Sequence, residues 1–389
     1  MKIAFIGQKG IPAVSGGVEK HVEDLSTQLV QRGHDVTVYT RPSYSDKNLT
    51  EYKGVRLISL PTLATKNFDA ITHTFFAILD LLRRKVDIVH FHGIGPSSLI
   101  PFVRLIKPSA KIVATVHSQD YCQDKWGLVA RLYLKFGERI ACAYADKTIA
   151  ISKSLTRLAH DRYKTNAEYI PNGVKKAVFV EADEITKLWN LSGNDYILAV
   201  SRLIPNKGLH YLVDAYNKIK TDKKLVIVGD GAFTDTYVSN LKAAAASNPN
   251  IIFTGAQKGK VLEELFSNAS LFAHPSNLEG LSIALLEAMS YGKVSIVSDI
   301  PENLEAIEDT GIEFAHTDAV DLASKLKFAL ANPEALESLG LAAKQRVATE
   351  YNWDTITAST ENLYADLIAK DLRKRVAKLT FATRFSTLL

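Results

Sequence analysis

Two glutamates, Glu279 and Glu287, bracket the stretch Glu279-Gly-Leu-Ser-Ile-Ala-Leu-Leu-Glu287. Ser282 is a residue type that caps a helix start, because its hydroxyl accepts from the exposed amides of the first turn. Ile283, Leu286 and Met289 then fall on a core-facing side, and Glu287 falls on a different face, just over a turn into the helix. Gly280 lets the backbone come close to a ligand. Free amides and the positive end of the helix dipole, next to Gly280, Leu281 and Ser282, suit a diphosphate. A carboxylate before the helix and another inside it can accept hydrogen bonds from sugar and ribose hydroxyls. An ordinary amphipathic helix with a surface glutamate has the same spacing, so this pair alone does not decide.

A second group lies upstream, in Ser201-Arg202-Leu-Ile-Pro-Asn-Lys207-Gly208. Arg202 offers a forked contact and Lys207 a point charge, so the two can clamp a diphosphate. Fixed cations at a departing diphosphate stabilise the charge that develops on it and can stand in for a divalent metal. A solvated basic loop is the alternative. Near the amino terminus, Gly7-Gln-Lys-Gly10-Ile-Pro-Ala-Val-Ser-Gly16-Gly17 is a glycine-rich loop that opens a helix, where a phosphate or sugar can approach backbone amides. It is not the GxGxxG pattern of dinucleotide sites. His117 closes a strand in Thr115-Val-His117-Ser118, a place from which an imidazole can hold a sugar hydroxyl. His90 and His92 form an HxH at another strand end. They lack a clear third ligand, so no metal site is expected there, and His92 is assigned to the acceptor side of a cleft. Gly229-Asp230-Gly231 is either a close approach to a nucleotide or a plain tight turn.

These groups must be placed by alternating strands and helices. Strands are expected at Lys2–Ile6, Asp35–Thr40, Val55–Leu60, Asp87–Phe91, Lys111–Val116, Lys147–Ile151 and Tyr169–Ile170. Helices are expected at Val18–Arg32, Phe68–Arg84, Ser97–Ile106 and Leu128–Ala143. Such alternation implies a mostly parallel sheet covered on both faces. It stops at the turn Pro171–Asn172–Gly173, and a mixed polar stretch, Val174–Asp195, holds the linker. A second series begins with the strand Tyr196–Val200 and continues through strands at Leu225–Val228, Ile251–Thr254, Leu271–His274 and Val294–Ser298, with a helix at Ser282–Tyr291 among those between them. The last long helix is expected at Asp354–Ala369. The expected fold class is therefore α/β, with two Rossmann-like doubly wound domains facing across a cleft. The divisions are 1–178, 179–353, a final helix over 354–370 and a basic tail over 371–389. In such sheets ligands sit beyond the carboxyl ends of strands, which is where each motif falls.

Composition narrows the classes. The 389 residues accommodate two cores, and the two cysteines, Cys122 and Cys142, have no metal-ligand or disulfide-scaffold spacing. The start MKIAFIG runs straight into a strand, so no secretory signal is expected, and no run of about 20 apolar residues predicts a membrane span. A cytoplasmic location follows as an expectation. The net charge of +5 hides an asymmetry: residues 1–178 carry 26 Lys and Arg against 15 Asp and Glu, and the remainder carries 21 against 27. The basic half reads either as a solubilising charge imbalance or as attraction to an anionic partner such as a phospholipid surface or a lipid diphosphate, which would put the protein peripherally at the inner face of the cell membrane. The tail, with Leu372, Val376, Leu379, Phe381 and Phe385 among basic residues, reads either as an interfacial helix or as a frayed terminus. No nucleic-acid partner is expected.

The motifs together resemble the GT4 family of retaining glycosyltransferases, in the bacterial polysaccharide-synthesising form. Glu279 to Gly292 is similar to its EGxxxxxLEAMxxG signature, with Leu281-Ser282 where Phe-Gly is usual. Ser201 to Gly208 is similar to SRLxxxKG, Gly10 to Glu19 to GIPAxxGGxE, and Val228 to Gly231 to VGDG. Thr115 to Gly127 resembles TVHGxDWxxxKWG, with Ser118 and Tyr121 as departures that leave acceptor details open. The resemblance implies a GT-B fold whose last helix crosses back onto the first domain. It implies transfer of a hexose-type sugar, with retention, from a nucleotide diphosphate sugar to a hydroxyl of a glycan or lipid-linked acceptor in cell-surface polysaccharide synthesis. No metal and no cofactor is implied. His117, Arg202, Lys207 and Glu279 carry over as catalytic groups. Gly16, Gly17, Gly229, Gly280, Leu281, Ser282 and Glu287 carry over to the donor site, with Glu279 on the transferred sugar and Glu287 on the ribose. A nucleotide-sugar epimerase on the same fold, or a non-catalytic nucleotide-sugar-binding protein, is the alternative.

Overall fold

The computed structural model describes residues 1–386 apart from 66, 67, 124, 232 and 233, and the side chains of 335 and 374–386 also lie outside the description. Two sheets form the framework. The first contains β1 (Lys2–Ile6), β2 (Asp35–Thr40), β3 (Glu51–Tyr52), β4 (Val55–Ser59), β5 (Ile88–His92), β6 (Lys111–Val116), β7 (Lys147–Ala150) and β8 (Glu168–Tyr169), in the order β3-β4-β2-β1-β5-β6-β7-β8. The second contains β9 (Tyr196–Val200), β10 (Lys224–Val228), β11 (Ile251–Gly255), β12 (Leu271–His274), β13 (Ser295–Ser298) and β14 (Ile312–Phe314), in the order β11-β10-β9-β12-β13-β14. Every ladder is parallel except the short β3–β4 pair.

The central strands read as continuous apolar or neutral runs because both of their faces are covered. β5 is buried along its whole length despite its two histidines. Over the first sheet, helices α1 (Gly17–Gln31), α2 (Asp69–Leu81), α3 (Ile94–Ser97), α4 (Ile100–Ile106), α5 (Leu128–Tyr144) and α6 (Lys153–Tyr163) divide between the two faces. One face packs Val22, Leu25 and Leu29 of α1 against Phe5, Val36 and Val38. The other packs Ala77, Ile78 and Leu81 of α2, Ile100 and Val103 of α4, and Ile140 and Ala141 of α5 against Ile6, Val89 and Ile112. A further apolar cluster runs across both sheets, joining Ile94, Val116 and Ile151 to Leu281, Leu285 and Met289. The two Rossmann-like units therefore share a dry seam beside their facing strand ends.

Expected and observed elements agree in kind and differ at particular places. The single helix expected over Ser97–Ile106 is two, α3 and α4, broken before Ile100-Pro101. A proline blocks continuation because it lacks an amide and restricts the residue before it. The polar stretch 174–195, read as linker, contains a short helix, Glu184–Trp189, whose first amides are satisfied by the buried Glu264 carboxylate. Helices Asp235–Ala245 and Pro301–Ile307 and strand β14 were not among the expected elements.

The last helix starts at Trp353 and runs unbroken to Ser386, so no change of structure marks residue 370 and the tail through Ser386 is helical. It does return to the first unit. Glu361 pairs with Arg32 and His34, Tyr364 hydrogen-bonds His90 at 2.6 Å, and Asp371 pairs with Lys111. Of the tail residues noted in the sequence, Leu372 is exposed, while the side chains of Val376, Leu379, Phe381 and Phe385 lie outside the described set. Among the described residues no helix is long and apolar enough to cross a membrane.

Candidate active site

Strand order reverses between β1 and β5 in the first sheet and between β9 and β12 in the second. At such a reversal the loops leave in opposite directions and open a crevice at the carboxyl ends. The glycine-rich loop follows β1, His92 ends β5, Arg202 and Lys207 follow β9, and Glu279 follows β12. The neighbouring strand β6 delivers His117. The motifs converge because of where the strands change direction.

The two charged motifs of the second unit touch. Lys207 ends a single 3-10 turn, Pro205–Lys207. Gly208, at φ +64°, then lets the chain lie so close to the 275 loop that a Cβ would sit 1.9 Å from Pro275 O. Asn277 N–H donates to Asn206 O at 2.8 Å, which ties the loops together. The Lys207 ammonium donates to Glu279 Oε1 at 2.5 Å, and the Glu279 side chain is 8 % exposed. His274 Nε2 lies 2.9 Å from the same oxygen. Burial alone would raise the Glu279 carboxyl, but Lys207 and His274 outweigh it and hold the group well below its usual range, ionised at any working pH. Arg202 is partly exposed and joins none of the ion pairs among the described residues. Among the described residues, buried Ser276 Oγ and Asn277 Oδ1 have no hydrogen-bond partner. Polar atoms rarely stay so in a folded protein, which marks this loop as a place for a polar ligand.

The helix Ile283–Ser290 is capped as expected, with Ser282 Oγ accepting from Leu285 N–H at 3.4 Å. Gly280 is packed against the other unit: a Cβ there would lie 1.7 Å from His117 O. Leu281 is buried, and its carbonyl accepts from Asn172 Nδ2 at 2.8 Å. Glu287 is half-buried and faces the first unit. Burial pushes its carboxyl up to about 7; Lys20 and Lys175 oppose the rise and Asp24 adds to it. Gly16, at φ +102°, caps α1, and Gly17 begins it, where an added Cβ would lie 3.8 Å from the Ile283 side chain. Gly229 is used differently, because a Cβ there would strike Ser201 O at 1.8 Å; the glycine lets the ends of β9 and β10 meet.

On the first unit, His92 Nδ1 and His117 Nε2 stand 3.1 Å apart with their rings stacked. His21, one turn into α1, completes a group of three buried imidazoles whose ligand-capable nitrogens lie within 4.8 Å of one another. Of the HxH pair only His92 enters this group; His90 does not, and the further candidate ligands are His117 and His21. His21 was hidden because α1 brings it from far along the chain. Burial lowers the His21 pKa to about 4 and, with help from the neighbouring rings, drives His92 and His117 well below the ordinary value, so all three are neutral at pH 7. Asn172 orders the group: its amide nitrogen is committed to Leu281 O, so its Oδ1 accepts from His21 Nδ1 at 3.0 Å. That fixes the tautomer and leaves His21 Nε2 as an acceptor. Sequence reasoning placed Asn172 only in a turn and passed over His21 and His274. His90 lies beside His92 on the same face of β5, with ring centroids 4.2 Å apart, and is held by Tyr364 and by Thr115 Oγ1 at 2.7 Å. Asp124, in the segment after His117, lies outside the described residues.

Known proteins match the chain in family and in two-unit fold. Residues 15–177 match the model described as Glycosyltransferase Family 4, and residues 181–346 match Glycosyl transferases group 1. An uncharacterized glycosyltransferase of Methanocaldococcus jannaschii is 28% identical over 94% of this chain and 98% of its own. Among solved structures, sucrose-phosphate synthase from Thermosynechococcus elongatus superposes with a TM-score of 0.80 at 22% identity, over 95% of this chain and 99% of that one. Anabaena HepE, solved with UDP and glucose, gives 0.78 at 18% identity, over 94% and 100%. The fold is thus GT-B, and the chain belongs to the family 4, group 1 glycosyltransferases.

Proposed function

We propose that this glycosyltransferase moves a hexose-type sugar, with retention of configuration, from a nucleotide diphosphate sugar to a hydroxyl of a glycan or lipid-linked acceptor in cell-surface polysaccharide synthesis. The observation that carries the reading is the contact of Lys207 with Glu279, beside the capped helix start at Ser282 and on the loop that also carries Arg202, across one crevice from His117. Cations, free amides and an ionised carboxylate suit the three parts of such a donor: diphosphate, its bridging oxygens and the sugar hydroxyls.

In this reading Arg202 and Lys207 hold the diphosphate and stabilise the charge it gains as the C1–oxygen bond breaks. Glu279 accepts from sugar hydroxyls, His117 holds a further hydroxyl from the opposite wall, and Glu287 accepts from the ribose. The acceptor oxygen bonds to C1 on the face from which the phosphate leaves, and the acceptor proton passes to the departing phosphate oxygen. His92 lines the acceptor side. The buried seam at Gly280 and His117 keeps water from the reacting carbon, which limits hydrolysis. The two cations supply the charge a metal would otherwise bring, so the reaction proceeds without one. Three neutral imidazoles could nonetheless hold a transition metal, and activity after exhaustive chelation decides between the two.

The test is a thermal-shift screen against UDP-, GDP- and dTDP-sugars, followed by product analysis with and without acceptor. Selective stabilisation by one donor, and a product that needs acceptor, support transfer. Conversion of donor alone would identify an epimerase, and binding without turnover a non-catalytic receptor.

A further inference from the structure

Helices α2, α4 and α5 lie side by side on one face of the first sheet, where their inner residues share a single core. Lys107, after α4, donates to the carbonyls of Leu82 and Arg84 at the end of α2. Arg104 donates to Tyr144 O at the end of α5. These contacts make the outer sides of the three helices one continuous surface.

That surface is apolar where water should be. On α2 the exposed residues include Phe75 (45%), Phe76 (38%) and Leu79 (42%), followed by Leu82 (51%). On α4 they are Phe102 (52%) and Leu105 (78%). On α5 they are Leu128 (75%), Val129 (81%), Leu132 (58%) and Phe136 (51%), with 128, 132 and 136 in a stripe at four-residue spacing. Scattered exposed hydrophobes need no explanation, but a contiguous sheet of them on three adjacent helices does.

The charges around it are mainly cationic, with Asp87 exposed after α2 and Asp146 paired with Arg104 as the acidic exceptions. Exposed Arg83 and Lys85 follow α2, and exposed Lys135 and Arg139 flank the α5 stripe. The acidic groups within these helices are spoken for: Asp69 pairs with Arg41, Asp80 with Arg84, and Glu138 is buried. Where α2 ends, Lys2, Arg56, Arg83, Arg84 and Lys85, with Asp35 as the one acidic group beside Arg56, line a recess of about 210 Å³ at the amino edge of the sheet, opposite the crevice. Long cationic side chains around an apolar face are suited to phosphate headgroups while aromatic and aliphatic groups enter the acyl boundary.

We propose that the α2–α4–α5 face docks on an anionic phospholipid surface. A protein partner would not by itself require a mainly cationic rim, and lipid headgroups supply the complementary charge. The same docking would bring the start of α5, joined to His117 by the segment 118–127, to the bilayer surface. An acceptor held in the membrane would then enter from that side. The inference does not depend on transfer chemistry: vesicle binding without transfer, or transfer without vesicle binding, separates the two.

The test is vesicle flotation of the full chain at low salt, with phosphatidylcholine alone or with about a third of the lipid replaced by phosphatidylglycerol. The wild type is expected to float with the anionic vesicles at least about tenfold more than with the neutral ones, and to be released by high salt. A triple variant, Leu105→Glu, Val129→Glu and Leu132→Glu, is expected to lose flotation while keeping its melting temperature and its stabilisation by donor, since all three side chains already face water. Equal flotation of wild type and variant would overturn the proposal. So would failure of the wild type to bind either vesicle, or a wild-type dimer that the triple variant converts to monomer.

Discussion

The ammonium of Lys207 lies 2.5 Å from Glu279 Oε1, across 72 residues of chain, with both side chains largely shielded from water. Each was assigned to a different part of the donor, yet in this structure they hold one another. A diphosphate would compete for Lys207 and free Glu279 for the sugar hydroxyls, so donor binding exchanges one set of charge contacts for another. Lys207→Ala leaves Glu279 buried with only His274 beside it. We expect a loss of about 1–3 kcal/mol of stability as well as a large fall in kcat/KM. Glu279→Gln should keep the fold and still lose transfer, while thermal melts and single-turnover rates separate the two effects. Wild-type rates in both variants would remove these residues from the site.

Arg202 behaves differently, because no ion pair among the described residues holds it. Its replacement by alanine should leave the melting temperature of the protein almost unchanged. The loss should appear in turnover, by about 100-fold, if the guanidinium meets charge that grows in the transition state. Arg202→Lys should recover only part, since a point charge does not reproduce a forked contact. A change confined to KM would instead mean uniform donor binding.

Glu287 gives the account a pH dependence. Its carboxyl is raised to about 7, against an ordinary value of 4.5. The folded protein therefore holds a proton that the unfolded chain has released, and stability falls as pH rises from 4.5 through 7. Ribose hydroxyls donate to a carboxylate, so nucleotide binding favours the ionised form. Nucleoside diphosphate affinity should weaken by up to about tenfold for each pH unit below 7, and Glu287→Gln should flatten the profile. Titration calorimetry at pH 6 and pH 8 reads this directly. A flat wild-type profile would show that Glu287 does not meet the donor.

Asn172 joins the units, accepting from His21 Nδ1 and donating to Leu281 O. Asn172→Ala strands a buried imidazole N–H and a buried carbonyl, at a cost of about 1–3 kcal/mol. It should also raise the ratio of donor hydrolysis to transfer, because the seam beside the reacting carbon is loosened. Asn172→Asp, which retains an acceptor for His21, should be milder in stability than alanine. An unchanged hydrolysis ratio would confine Asn172 to a structural role.

The legible part of this molecule was what repeats or is local. Parallel strands such as β5 and β10 announce themselves as short apolar runs, and their ends fix where chemistry collects. Ser282 as a cap also follows from local rules, whereas Gly280, read as room for a ligand, packs against His117 O. Residues that act through distant partners were hidden. His21 looks like any polar position of α1 until β5 and β6 are placed beside it, and Asn172 looks like a turn former until Leu281 arrives from the other unit. Gly229 was open between ligand and turn, and its contact with Ser201 O shows the packing use. Helix Glu184–Trp189 was missed because a buried carboxylate, Glu264, rather than its own sequence, satisfies its start.

The central claim is transfer with retention at the Arg202–Lys207–Glu279 site. It is tested most directly by NMR assignment of the anomeric configuration of the product formed from an α-linked nucleotide sugar, in wild type and in Glu279→Gln. The account predicts an α-linked, acceptor-dependent product from the wild type and almost none from the variant. A β-linked product, or an undiminished yield from Glu279→Gln, would contradict it.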